Sequence, residues 1–440
     1  MSAATRPSND PLIHQWMPFT TNRQFLEQPR LIARAEGVYY YNTRGEKLLD
    51  GSSGLYCIPL GHGRREIREA VAKQMEELDY APPFQYGVPV AFRLATEVAQ
   101  LLPAGINRVF FTGSGSEAAD TALKIALQYH RSRGEAQRVR FIGRERGYHG
   151  VNLGGMSVGG MVSNRKAFGT GLPGVSHLRH THIKENYFQM GEGEHGADLA
   201  DDLERFVNLH GADTIAACIV EPIAGSTGIL VPPKGYLKRL REICSKHGIL
   251  LIFDEVITGF GRTGEAFAAQ TFDVTPDIIN MAKALTNGSI PMAAVAVKDE
   301  IQQTIFDASP DGSIELFHGY TYSAHPAACA AGLATLKIYR EEGTFDRVKS
   351  LAPAFLDQVG SFKGMDGVVD TRGYGLLGAV EVAPSGKPGE RGFKILCKAF
   401  EQGLVLRAAG DSLVLAPPFA ATADQISEML DIVRKLIKES

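Results

Sequence analysis

A short apolar run ends at Phe253 and is followed at once by Asp254; a second, Ile278-Ile279, is followed shortly by Lys283. Between them lies the glycine-rich turn Gly259-Phe260-Gly261-Arg262-Thr263-Gly264. An apolar run that stops at one charged side chain is the pattern of a buried parallel strand delivering that side chain to the C-terminal edge of a sheet. That edge is where open α/β proteins bind ligands. The pattern therefore predicts a helix-covered parallel sheet that presents a carboxylate and an amine to one site.

The rest of the chain agrees. From about Gly61 to Val297, helix-like segments alternate with short apolar runs at Val109–Phe111, Val139–Ile142, Ala216–Val220, Ile249–Phe253 and Ala293–Val297. Such alternation predicts a mostly parallel sheet in the α/β class. Before it, Gly37–Tyr41 and Lys47–Asp50 read as a hairpin around Asn42–Glu46, preceded by a loop and a short helix. After Pro326 a helix is expected through Tyr339, then mixed helices and strands, among them Leu376–Val382 and Leu413–Leu415. No internal repeat or low-complexity linker appears.

At 440 residues the chain exceeds the usual size of one core, so two domains are expected. A formal net charge of −3 and no long basic run argue against nucleic acid as a partner. No stretch reaches the ~18 uninterrupted apolar residues of a membrane span. Met1–Pro11 is polar, without the apolar core of a secretory signal. Five scattered cysteines, 57, 218, 244, 329 and 397, have neither disulfide nor zinc spacing, so no metal is expected and the thiols read as buried and reduced. A cytoplasmic enzyme acting on small molecules is the simplest reading.

A lysine taken alone is a solvated surface residue, and an aspartate at a strand end can simply cap the next turn. Together at one sheet edge they match the needs of pyridoxal 5′-phosphate: an amine for the Schiff base and an acid for the pyridinium nitrogen. Once freed, the Lys283 amine can carry a proton as general base and acid. Gly113-Ser114-Gly115-Ser116 lies between a strand ending at Phe111 and a helical segment from Glu117. Glycine admits backbone amides to an anion, serine adds hydroxyls and the helix adds its dipole, so this turn is the expected phosphate seat; ordinary helix capping is the plainer alternative.

Beyond these residues, five ordered blocks carry a resemblance. They are the Asp254–Lys283 region, Gly113–Asp120, Gly147-Tyr148-His149-Gly150, Glu221–Gly228 and His318–Pro326. From about Trp16 to the C-terminal region the chain resembles the class III aminotransferases of the fold type I pyridoxal-phosphate family. It is most similar to their omega-amino acid:pyruvate branch. The resemblance implies a small domain built from residues 1–60 and 326–440 around a large cofactor-binding domain, 61–325. It also implies roles in cofactor binding. Tyr148 stacks on the ring within a block that includes His149, Val256 packs on the opposite face, Glu221 lies near the 3-oxygen, and Thr321 reaches the phosphate from a neighbouring subunit. The active unit would then be a homodimer, or a tetramer built from dimers.

On the substrate side, the resemblance assigns Arg407 to the carboxylate and Phe19, Leu55 and Tyr56 to the pocket wall. Arginine suits carboxylates because it pairs with them bidentately. Relatives usually carry tryptophan where this chain has Tyr56, which implies a roomier pocket with an added hydroxyl. The 2-oxoglutarate-dependent ornithine and 4-aminobutyrate aminotransferases carry glutamate at the position of Ser226, where it pairs with the arginine. Serine there tilts the expected acceptor toward pyruvate, with an omega-amino acid such as β-alanine, or an amine, as donor. The alternatives are a 2-oxoglutarate-dependent 4-aminobutyrate or diamine aminotransferase, an aminomutase, a decarboxylase and a non-catalytic descendant.

Overall fold

The protein is described from a computed structural model covering residues 10–440; residues 1–9, and with them most of the polar Met1–Pro11 segment, lie outside the described residues. Strands β1 (Ile32–Glu36), β2 (Tyr39–Asn42) and β3 (Lys47–Asp50) form an antiparallel meander. The next seven strands are β4 (Ile106–Thr112), β5 (Arg140–Arg144), β6 (Val175–Leu178), β7 (Ile215–Val220), β8 (Leu250–Asp254), β9 (Ile278–Met281) and β10 (Ala293–Lys298). They make one sheet in the order β4-β10-β9-β8-β7-β5-β6. All its neighbours are parallel except β10, which runs against both β4 and β9.

Every residue of β7 and β8 is buried, as expected of parallel strands covered on both faces. The alternation of side chains across a strand divides β8 between two cores. Ile252 packs with Ala118, Ala122 and Ile125 of the helix Gly115–Ser132. Leu251 and Phe253 pack with Leu237, Leu240 and Ile243 of the helix Tyr236–His247. Each such side chain contributes about 1.5–3 kcal/mol by leaving water, so the sheet edge carrying the charged residues is anchored from both sides.

The remaining strands are β11 (Val368–Tyr374), β12 (Leu377–Val382), β13 (Leu404–Val405), β14 (Arg407–Ala409) and β15 (Ser412–Leu415). Four of them form an antiparallel sheet, β11-β12-β15-β14, while β13 runs parallel to β3 and completes the N-terminal sheet. Val38 and Leu49 share a core with Leu404, Leu413 and Leu430, so the two ends of the chain pack together. The helix Pro326–Glu341 instead buries Ala328, Cys329, Ala331 and Leu336 in the core of the seven-stranded sheet.

The expected alternation of strand and helix is present, with two additions. Strand β1 is largely exposed, and β6 is a four-residue edge strand. Neither has an apolar run to announce it. The five thiols are free, but only Cys218, Cys244 and Cys329 are buried; Cys57 and Cys397 are half-buried, which corrects the expectation that all five lie in the core. Cys57 is open because it lines the central cavity. No helix of the described residues is long and apolar enough to cross a membrane.

Candidate active site

Five strands of the large sheet end at one place. Strand β8 ends in Asp254, β9 leads through Ala282 to Lys283, β7 leads to Glu221, β5 to Tyr148-His149, and β4 to Gly113–Ser116. All these residues line one cavity of about 340 Å³.

Asp254 is buried and held on two sides: Oδ2 lies 2.7 Å from His149 Nδ1, and Oδ1 accepts the Val256 N–H at 3.2 Å. His149 is thus placed behind the carboxylate, and its Nε2 has no partner among the described residues. Neighbouring Glu255 points the other way and accepts from Ala268 N at 2.6 Å, Ala269 N at 2.8 Å and Thr258 Oγ1 at 2.9 Å. It holds the following turn rather than the cavity. Burial pushes the Glu255 and Glu221 carboxyls up to about 7 each. Glu221 accepts the Tyr148 N–H at 2.8 Å and the Gly225 N–H at 3.2 Å, tying the ring-bearing loop to the strand end.

Lys283 opens a short 3₁₀ turn, Lys283–Thr286, with its backbone in the left-handed region at φ 49°. Burial pulls its amine below the ordinary lysine range, partly offset by Cys57, Asp254 and Glu221. A less basic amine is a better nucleophile and proton carrier near neutral pH. Asn287, itself left-handed at φ 48°, accepts the Leu60 N–H and donates to the Gly61 carbonyl, each at 3.0 Å. The lysine turn is thereby fastened to the segment carrying Leu55 and Tyr56.

The turn before the helix Gly115–Ser132 has two uses. Ser114 Oγ caps the helix by accepting the Glu117 N–H at 3.2 Å, and Glu117 Oε2 accepts the Gly113 N–H at 2.6 Å. The first-turn N–H groups of a helix lack partners within it and favour an anion. A Cβ on Gly115 would come within 3.1 Å of a Val256 methyl, which would have to give way, so glycine suits this cradle. Ser116 Oγ accepts the Val151 N–H at 3.0 Å, joining the turn to the Tyr148 loop. An amine of lowered basicity, a histidine-backed carboxylate and an anion cradle on one cavity fit pyridoxal phosphate.

A second cavity, about 610 Å³, joins the first through Tyr148, Ser226 and Lys283. Phe19, Leu55, Tyr56 and Arg407 all line it. Tyr56 is buried, and its hydroxyl donates to the Gly225 carbonyl at 3.1 Å; burial pushes its ionisation up to about 12. Ser53, Gly54, Leu55 and Tyr56 are all left-handed, with φ between 46° and 70°. Asp50 Oδ1 accepts the Ser52 and Gly54 N–H groups at 3.0 and 3.2 Å and so holds this turn. Arg407 Nη2 donates to the Ser226 backbone carbonyl at 3.1 Å, and its Nε has no partner among the described residues. The contact with Ser226 is therefore one any residue would supply, and the serine side chain leaves the guanidinium's charge open. Phe19 is 77% exposed at the cavity mouth. Thr321 lines neither cavity; it is exposed, and its carbonyl accepts from Tyr80 OH at 3.0 Å.

Sequence reasoning had no role for Cys57, Met292 or Arg146 in these walls. Cys57 and Met292 carry no chemical signature. Arg146 does, since it directly precedes the Gly147–Gly150 block.

A lysine and an aspartate brought by adjacent strands to a glycine-serine turn define an enzyme of amino-group chemistry. Residues 20–437 match the class III aminotransferases, and the chain belongs to that family. It is 53% identical over 424 residues to the omega-aminotransferase of Caulobacter vibrioides, covering 96% of each chain. The omega-amino acid--pyruvate aminotransferase of Pseudomonas putida is 48% identical, over 96% of this chain and 95% of that one. The beta-alanine--pyruvate aminotransferase of Pseudomonas aeruginosa is 49% identical, over 95% and 94%. Among solved structures, the omega transaminase of Pseudomonas jessenii in complex with PMP superposes with a TM-score of 0.92 at 33% identity, covering 97% of this chain and 96% of that one.

Proposed function

We propose that the chain is a pyridoxal-phosphate-dependent omega-amino acid:pyruvate aminotransferase. The observation that carries this reading is that Lys283 and an arginine free of any carboxylate, Arg407, line one cavity that opens into the Asp254 cavity. Relatives about half identical bear names for that reaction, which supports the choice of donor and acceptor.

When bound, the cofactor supplies an electron sink for the charge left on a substrate carbon and a carrier for the amino group. The protein does the rest. Asp254, backed by His149, is assigned to keep the pyridine nitrogen protonated. Ser114, Gly115 and Ser116 are assigned to the phosphate, Tyr148 and Val256 to the two ring faces, and Glu221 to the ring's oxygen. Lys283 Nζ takes a proton from the donor's amine-bearing carbon and returns one in the reverse half-reaction. Arg407 orients the carboxylate of pyruvate, whose product is alanine, while Phe19, Leu55 and Tyr56 exclude water and shape the donor.

Thr321 is assigned to the partner subunit's phosphate site in a homodimer, or a tetramer of such dimers. It sits beside exposed Phe84, Phe317 and Tyr322, which are 52, 90 and 67% exposed, and exposed apolar clusters mark interfaces. A division into 1–60, 61–325 and 326–440 is proposed, although the helix Pro326–Glu341 at the start of the last part shares the core of the middle one. Free thiols throughout support the reducing cytoplasm as its compartment.

The test is Arg407→Ala in separated half-reactions. Amination of the cofactor by a simple amine such as 1-phenylethylamine, followed by absorbance, is expected to persist. Reaction of the aminated enzyme with pyruvate is expected to slow roughly a hundredfold, the weight of a lost charge-assisted pair. Equal damage to both steps would show that Arg407 supports the fold or the cofactor instead.

A further inference from the structure

We infer that Arg372 is a positioning residue for carboxylate recognition: it fixes both the turn Gly225–Gly228 and the strand pair β14-β15, and through them sets where Arg407 stands in the substrate cavity. The inference rests on the proposed role of Arg407.

Ala224 and Leu230 bond each other in both directions, N to O at 3.0 and 2.9 Å, and so close the turn Gly225–Gly228. Ser226 and Thr227 at its tip line the 610 Å³ cavity together with Lys283 and Arg407. Three backbone carbonyls of the turn receive side chains. The Gly225 carbonyl accepts from the Tyr56 hydroxyl at 3.1 Å, that of Ser226 from Arg407 Nη2 at 3.1 Å, and that of Gly228 from Arg372 Nε at 2.8 Å. Tyr56 and Arg407 belong to the cavity wall, whereas Arg372, on β11 and only 4% exposed, lines neither cavity. Because Arg407 is held by a backbone oxygen, whatever fixes the path of the turn fixes that contact.

The rest of the Arg372 guanidinium points into the C-terminal sheet. Nη1 donates to Asp370 Oδ2 at 2.6 Å and to Glu381 Oε2 at 2.7 Å, and Nη2 donates to Ser412 Oγ at 2.9 Å. Ser412 Oγ in turn donates to Glu381 Oε2 at 3.2 Å, and His182 Nε2 lies 2.9 Å from Asp370 Oδ2. Ser412 opens β15, opposite Ala409 of β14, and Arg407 stands two residues along β14, opposite Val414. One side chain thus grips the turn that receives Arg407 and the strand pair that carries it.

The fit is specific to the residues present. Gly228 is left-handed at φ 108°, and a Cβ there would lie 2.9 Å from Arg372 Nη2 and 3.0 Å from Ser412 Oγ, so glycine permits the approach. His182, Asp370 and Glu381 place donor atoms within 4.8 Å of one another, but the Arg372 guanidinium is the cation they surround, which leaves no room for a metal. A buried ion cluster is a weak source of stability, because desolvation offsets the attraction. What this one supplies is direction: a planar fork of N–H donors holds several acceptors at fixed angles, which the single ammonium of lysine cannot do.

The test separates the half-reactions in the holoenzyme and in Arg372→Lys, which keeps a positive charge between the acids. Reaction of the aminated enzyme with pyruvate is expected to lose roughly tenfold in its second-order constant, the weight of one or two hydrogen bonds, through weaker saturation by pyruvate and not a slower limiting rate. Amination by 1-phenylethylamine is expected to keep its rate. Ser412→Ala, which cuts only the link to β15, is expected to shift the pyruvate step in the same direction by less. In an Arg407→Ala background Arg372→Lys is expected to have no further effect on the pyruvate step, since the two arginines act through one contact. Equal loss in both half-reactions, or the same loss with Arg407 already removed, would overturn the inference. So would an unchanged pyruvate step in Ser412→Ala if Arg372→Lys does not bind cofactor. A pyruvate step left intact by Arg407→Ala would refute the role of Arg407 and the inference with it, whereas a selective loss in Arg407→Ala beside none in Arg372→Lys would overturn the inference alone.

Discussion

At the scale of single residues, the cavity is a set of charges held by others. His149 and the Val256 N–H fix Asp254, two backbone N–H groups fix Glu221, and burial lowers the basicity of Lys283. Asp254→Asn keeps the shape and removes the charge assigned to the pyridine nitrogen. Cofactor is expected to remain bound, while proton removal from the donor slows roughly a hundredfold, equivalent to ~3 kcal/mol in the transition state. Stopped-flow absorbance with a single donor measures it. Deprotonation at the unsubstituted rate would remove Asp254 from the chemistry.

At the scale of elements, what was legible in the sequence is what has a strong local pattern. Strands β7, β8 and β10 are apolar runs, the last two closed by one charged residue, β9 opens on Ile278-Ile279, and Asp254 and Lys283 mark the edge of the sheet. Asp254, Lys283 and the Gly113–Ser116 turn could thus be chosen from residues alone. Phe19, Leu55, Tyr56 and Arg407 could not, because their approach to Lys283 depends on contacts between segments hundreds of positions apart. The left-handed run Ser53–Tyr56 was equally hidden. Each non-glycine residue there costs about 1–2 kcal/mol, and the Asp50 carboxylate, the Ser53 hydroxyl on the Ala416 carbonyl and the Tyr56 hydroxyl on the Gly225 carbonyl help to hold it.

At the scale of the whole molecule, the seven-stranded sheet supplies the amine, the acid and the anion cradle, and the packed chain ends supply Arg407 and the pocket wall. The proposed dimer adds Thr321. If it does, light scattering coupled to chromatography will find active enzyme only as dimers or larger, and dilution below the dimer's dissociation constant will release cofactor. A fully active monomer would contradict this. The central claim is that Lys283 is the amine that carries the cofactor, and borohydride reduction of the yellow holoenzyme followed by peptide mass mapping tests it most directly. The account predicts the reduced cofactor on the peptide containing Lys283 and its absence, together with multiple-turnover transamination, in Lys283→Ala; cofactor trapped on any other lysine would contradict it.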